Sequence, residues 1–261
     1  MQIVNGIIQK ENYISENAKM QLDNGFNFGR GVFETLLVNE KPIFLEMHLN
    51  RMNNSLKALK IGNFVSKEYI EEIIKNNEIK NCVLKIIATQ ENVVIYTRKS
   101  QYTKEKYDAG FRLKISTMKR NPYSHVVYHK TLNYTDNLIE KEIASEEGFD
   151  EVIFFNTDNK IAEGSVSNLF FVKNGMLHTP KISCGLLNGI VRDWVLENFE
   201  CNKGEYSISD LKKAEEVFLT NSIMGIMNVS YIKDIGKFDI GNHTKKISKE
   251  YNKLTHYVNL G

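Results

Sequence analysis

Only three cysteines occur in the 261 residues, Cys82, Cys184 and Cys201, and no two form a CxxC pair. That excludes a disulfide framework and a cysteine-built zinc site, and it fits a reducing, cytoplasmic setting. Charge of one sign is lacking too. The 34 basic and 32 acidic residues leave a net charge of +2 and alternate along the chain, so no nucleic acid partner is expected. No apolar run approaches the roughly 20 residues that cross a bilayer, so no membrane span is expected. The opening "MQIVNGIIQKEN" lacks the basic start and apolar core of a signal peptide. Histidines offer one i, i+4 pair, His125 and His129, but Val126-Val127-Tyr128 between them reads as strand, so no metal is expected. Repeats and low-complexity segments are absent.

What remains is ordinary globular composition, 42% apolar and 25% charged. The length suits one large domain or two modest ones. "MQIVNGII" reads as a strand with an Asn-Gly turn, and "VFETLLVNEKPIFL" as a hairpin turning at Asn39–Lys41. Leu45, Leu49, Met52, Leu56 and Leu59 recur at spacings of four and three, one face of an amphipathic helix. "SKEYIEEIIKNNE" is a second helix with Ser66 as N-cap. "CVLKIIAT" and "VVIYTR" are strands joined by Gln90–Asn92, and "FRLKIST" is another.

A polar, proline-bearing break then predicts a linker over residues 118–125, between an N-terminal α/β domain (1–117) and a C-terminal domain (126–261). A helix is expected from Leu132 to Glu147, stopped by Gly148. "DEVIFFN" and "SNLFFVKNGMLHT" are strands, and "NGIVRDWVLENF" a helix burying Ile190, Val191, Trp194 and Val195. "EEVFLTN" and "NVSYI" are strands, and a last helix buries Ile247, Tyr251, Leu254 and Val258. The fold class is α+β, and the cleft between two such domains is a common place for chemistry.

Five features could carry that chemistry, and each has a plain alternative. Lys130, between a β-type run and a helix, could present an amine of lowered pKa to a carbonyl; most lysines are simply solvated. Glu163 ends a short strand before Gly164 and could be a buried acid facing a cation, or a turn carboxylate in water. Asn188 and Gly189 open a helix whose first amides, Ile190 and Val191, would suit a phosphate, as would any helix start. "FLTNSIMGIM" runs a strand into Thr220, Asn221 and Ser222. Arg51 could fork onto a phosphate, or be an ordinary surface residue.

In order and spacing these features resemble the class IV, or fold type IV, pyridoxal-phosphate enzymes. The family's signature is matched by Glu163, Ser165, Asn168-Leu169-Phe170, Thr179, Leu187, Gly189, Ile190 and Arg192. With "NFGRGVFETLLV" and "FLTNSIMGIMNV" the resemblance covers most of the chain. It implies a two-domain fold like that of D-amino-acid aminotransferase: a smaller N-terminal α/β domain and a C-terminal pseudo-barrel that binds pyridoxal 5'-phosphate. It implies Lys130 as the lysine joined covalently to the cofactor and Glu163 as partner of the pyridine nitrogen. Arg51, the amides of Ile190 and Val191, Ser222 and Asn221 would hold the cofactor. Val191 stands where many relatives carry Thr. A homodimer acting on a small amino substrate is implied as well.

Within that family "HKTLNY" and "TNSIMGIM" resemble the forms usual in 4-amino-4-deoxychorismate lyases, which release pyruvate to leave 4-aminobenzoate for folate synthesis. The compact length fits, and Phe33 stands where D-amino-acid and branched-chain aminotransferases often have Tyr. Such an aminotransferase is the alternative. Substrate carboxylates need cations, yet Leu37 and Gln90 stand where relatives often carry basic residues, Arg30 where they usually have Asp, and Asn228 where Pro is common. Arg30 and Arg98 are the substitutes the sequence offers.

Overall fold

The apolar segment "VFETLLV" and the leucine stripe after it meet in one core. In the computed structural model, residues 20–255 are described, with the backbone of two short strands before them. The chain forms two units, one of Met1–Gln101 with His129–Asn133, the other of Tyr102–Tyr128 with Tyr134–Gly261.

In the first unit, β1 (Gln2–Val4), β2 (Ile7–Gln9), β3 (Val32–Val38), β4 (Cys82–Ala88) and β5 (Val93–Arg98) form an antiparallel sheet ordered β2-β1-β5-β4-β3. The expected Asn5-Gly6 turn lies outside the described residues. Helix α1 (Asn24–Phe28) is capped by the Asp23 carboxylate. Val32, Leu36, Leu84, Ile86 and Ile95 pack with Leu45, Leu49, Met52 and Leu56 of α2 (Leu45–Ala58) and with Ile70 and Ile73 of α3 (Lys67–Asn76). Ser66 caps α3, its hydroxyl accepting from the Tyr69 amide at 3.1 Å. The predicted hairpin turns as expected, but its second arm is reduced to one bridge, Val38 to Pro42. Pro42 has no N–H to extend the ladder, and Phe44 enters α2 in the left-handed region.

The predicted linker and domain limits differ from this arrangement. Met118–Arg120 complete β6 (Phe111–Arg120), a strand of the second unit with parallel neighbours on both sides. Val126–Tyr128 form turns rather than a strand. His129–Asn133 return to the first unit beside β3: the Phe33 amide donates to the Lys130 carbonyl at 2.9 Å, and the Leu132 amide to the Gly31 carbonyl at 3.0 Å. Extended pairing here delays the next helix, α5, to Thr135–Glu146 instead of Leu132.

The second unit adds α4 (Lys104–Ala109), β7 (Glu151–Asn156), β8 (Ile161–Gly164), β9 (Asn168–Lys173), β10 (Met176–Pro180), α6 (Ile190–Asn198), β11 (Cys201–Gly204), α7 (Ile208–Leu211), β12 (Glu216–Asn221), β13 (Gly225–Ile232), β14 (Gly236–Lys237) and α8 (Asn242–Thr255). Its mixed sheet runs β11-β10-β9-β12-β13-β6-β7-β8, with β14 on β13. Leu113, Ile153, Phe155, Leu169, Phe171, Leu219 and Met227 share one core cluster. The β9–β10 hairpin turns through Asn174 and Gly175, both at positive φ, the demand of a tight two-residue loop. Helix α6 buries the four residues expected of it. Helix α8 buries Ile247 and Tyr251, but Leu254 is exposed; Val258 lies outside the described residues. No described helix is long and apolar enough to cross a membrane. No described His, Cys, Asp and Glu cluster could hold a metal, and the cysteines are unpaired.

Candidate active site

The expected site residues divide between the units. Lys130, Arg51, Phe33, Arg30 and Arg98 belong to the first, and Glu163, Ile190, Val191, Asn221 and Ser222 to the second.

In the second unit, the buried Glu163 near the end of β8 accepts a hydrogen bond from the Leu187 amide at 2.9 Å. The Arg120 Nε lies 3.3 Å from its other oxygen, a charge contact not aligned as a hydrogen bond. The same guanidinium stacks over Phe154 and donates to Asn137 Oδ1 at 3.1 Å. Asn137 and the Tyr134 hydroxyl both donate to the Ser165 carbonyl. Burial, then the nearby Glu163 charge, pushes the Tyr134 phenol well above its usual range. Glu151, fully buried, receives the amides of Ser165 and Val166 and the hydroxyls of Ser165 and Ser167, so it fixes the loop that follows Glu163.

The start of α6 is built with equal economy. Asn168 donates to the Leu187 carbonyl at 2.8 Å. A Cβ on Gly189 would stand 2.0 Å from Asn168 Oδ1, so only glycine fits this N-cap. No side chain caps the helix, which leaves the Ile190 and Val191 amides without intrahelical partners. Arg192, almost fully buried, donates to Asn188 Oδ1 at 2.7 Å and to the Pro180 carbonyl at 3.0 Å. It therefore braces the turn. Asn221 is also a brace: its Oδ1 accepts from the Ile223 and Met224 amides, and its amide group donates to the Val166 carbonyl. Ser222, the next residue, is half-buried at the tip of this turn. The buried Thr220 hydroxyl has no hydrogen-bond partner.

In the first unit, Arg51 is a forked partner of Glu34. Nε and Nη2 donate to the two carboxylate oxygens, each at 2.7 Å. His48 Nδ1 lies 2.6 Å from Glu34 Oε2. Burial lowers the His48 pKa, against the upward pull of the Glu34 carboxylate. Lys130 Nζ stands 4.4 Å from the centroid of the Phe33 ring. Arg30 donates to the Leu59 and Lys60 carbonyls at the end of α2 and acts there as a helix cap.

Sequence reasoning missed Glu34, His48, Arg120, Tyr134 and Glu151. A signal existed for Glu34, an acid at an aliphatic position of the core-facing set Val32, Leu36, Val38. The donor chemistry fits pyridoxal phosphate: a buried carboxylate for a pyridinium nitrogen, uncapped amides at a glycine helix start, and an unmatched buried hydroxyl, Thr220, two residues before Ser222.

The profile of the Amino-transferase class IV family matches residues 31–232. The aminodeoxychorismate lyase of Bacillus subtilis is 28% identical over 237 residues, covering 82% of this chain and 81% of the relative. The crystal structure of 4-amino-4-deoxychorismate lyase from Pseudomonas aeruginosa aligns with a TM-score of 0.85 at 23% identity, over 97% of this chain and 98% of that one. The branched-chain amino acid aminotransferase from Escherichia coli aligns with a TM-score of 0.83 at 23% identity, over 97% and 93% of the two chains. Both structures share the α+β fold type IV architecture with this chain.

Proposed function

Because the chain belongs to the class IV aminotransferase family of pyridoxal-phosphate enzymes, we propose that it is a 4-amino-4-deoxychorismate lyase. The observation that carries this reading is the extended similarity to the Bacillus subtilis lyase. The "HKTLNY" and "TNSIMGIM" stretches lean the same way.

When bound, the cofactor accepts the electron pair of a C–H bond beside the substrate nitrogen. Lys130 would hold the cofactor and would be the base that takes the proton from the carbon bearing the substrate amine. The bond to the enolpyruvyl oxygen breaks, the ring becomes aromatic, and Lys130 returns the proton to the departing group, which leaves as pyruvate. Glu163, in contact with Arg120 and the Leu187 amide, would pair with the pyridine nitrogen. Arg51, oriented by Glu34, the Ile190 and Val191 amides and Ser222 would receive the phosphate.

The test is pyruvate release from 4-amino-4-deoxychorismate by the cofactor-loaded protein, with Lys130→Ala as control. Release abolished by the substitution is the expected result. A loaded protein that releases none refutes the lyase, and conversion to the pyridoxamine form by branched-chain or D-amino acids would then establish an aminotransferase. A homodimer is part of the reading. Leu22, Phe26 and Phe28, strongly exposed on and beside α1, support it, and sedimentation equilibrium should give twice the chain mass.

A further inference from the structure

The register of the first sheet aligns Thr35, Lys85 and Tyr96, with Phe33, Ile87 and Val94 as the next row. Paired residues in antiparallel strands share a face. These side chains therefore lie opposite Leu36, Leu84, Ile86 and Ile95, which enter the core with α2. Lys85 is half-buried on β4, between β3 and β5. Its ammonium stands 4.6 Å from the Phe33 ring centroid and 5.7 Å from that of Tyr96. Lys130 approaches the same Phe33 ring at 4.4 Å, so the two nitrogens lie no more than 9.0 Å apart, the sum of the two ring distances.

Among the described residues, no carboxylate stands within ion-pair reach of Lys85. Ring faces offer a partly desolvated ammonium less than a charge partner does. An anion carried by the molecule that reacts at Lys130 would supply that partner. Arg30 is engaged with the end of α2, and Arg98 is exposed and donates to the Lys99 carbonyl.

We propose that Lys85 binds a carboxylate of the substrate and so helps to select it. The inference rests on the reading of Lys130 as the reacting lysine. Position alone hides Lys85: in "VLKII" it looks like the solvent-facing residue of an alternating strand.

The test compares cofactor-loaded wild type with Lys85→Met and Lys85→Arg. Equilibrium dialysis uses 4-aminobenzoate, which carries the carboxylate, and aniline, which lacks it. Wild type should prefer 4-aminobenzoate by about 10- to 100-fold. Lys85→Met should bind the two alike, and Lys85→Arg should recover part of the preference. The cofactor absorbance and thermal midpoint should not fall in Lys85→Met, as they would if the lysine were structural. In turnover, the loss should appear in KM more than in kcat. A preference that survives Lys85→Met, or its absence from wild type, overturns the proposal. If wild type releases no pyruvate, the lyase reading fails separately. The same comparison, made with L-alanine and ethylamine in the half-reaction, then decides Lys85 by itself.

Discussion

Glu34 is the residue on which the first unit's polar chemistry turns. Its carboxylate is fully buried, which by itself would raise its pKa; Arg51 and then His48 outweigh burial and hold it at about 2. A buried carboxylate with three charge-assisted contacts is costly to leave half-paired. Glu34→Gln keeps the shape but strands the Arg51 guanidinium against an amide. The expected cost is about 3 kcal/mol in urea unfolding, with weaker cofactor binding because Arg51 loses its forked alignment. An unchanged unfolding midpoint would refute the structural claim, and unchanged cofactor affinity the positioning claim. At Glu163 the change should divide differently. Glu163→Gln retains an acceptor for the Leu187 amide, so stability should shift by less than about 1 kcal/mol, while activity drops at least tenfold through loss of the anion. Equal activity of the two proteins would remove Glu163 from its proposed role.

At the scale of elements, α6 depends on a contact that its own sequence does not display. Gly189 opens the helix because Asn168, on β9, occupies the space a side chain would need. Gly189→Ala should push Asn168 off the Leu187 carbonyl and destabilise the protein by about 1–3 kcal/mol. Adding Asn168→Ala should restore part of that loss, so the pair costs less than the sum of the singles; strict additivity in the unfolding free energies would contradict the packing account. The same distinction explains what could be read beforehand. Helices α2, α3 and α6 each bury one face, so periodicity located them, and Ser66 marked its own cap. Residues 118–133 misled because their conformation is set by distant partners. Met118–Arg120 extend β6 among parallel neighbours, and Lys130–Leu132 pair with the start of β3. Order and spacing along the chain, through the family resemblance, singled out Lys130, Glu163 and the glycine helix start as candidates. They did not reveal Arg120, Glu151 or Lys85, whose meaning comes from register and burial.

For the whole molecule, the titrating groups are unevenly shared. His48 and His129, whose pKa values burial lowers, both lie in the first unit, with Asp23 and Glu34. Asp23 is held at about 2; burial would raise it, but the Thr89 hydroxyl and the amides of Glu91, Phe26 and Gly25 outweigh that. As pH falls below the ordinary histidine value of 6.5, the unfolded chain takes up protons that folded His48 and His129 refuse, so stability declines. Below the ordinary carboxylate values of 3.8 and 4.5, unfolded Asp23 and Glu34 protonate while their folded forms stay ionised towards pH 2, and the decline continues. In the second unit the acids Glu216 and Asp210 are lowered too, but they act only in this acid range. The first unit should therefore loosen first between pH 7 and 5. The single tryptophan, Trp194, packs against Tyr251 in the second unit and reports there. Amide protection factors in β3 and α2, corrected for intrinsic exchange, should fall over that interval while Trp194 emission holds steady. Protection lost equally in β3 and β12, or a Trp194 change that comes first, would show that the buried histidines do not govern the acid limb.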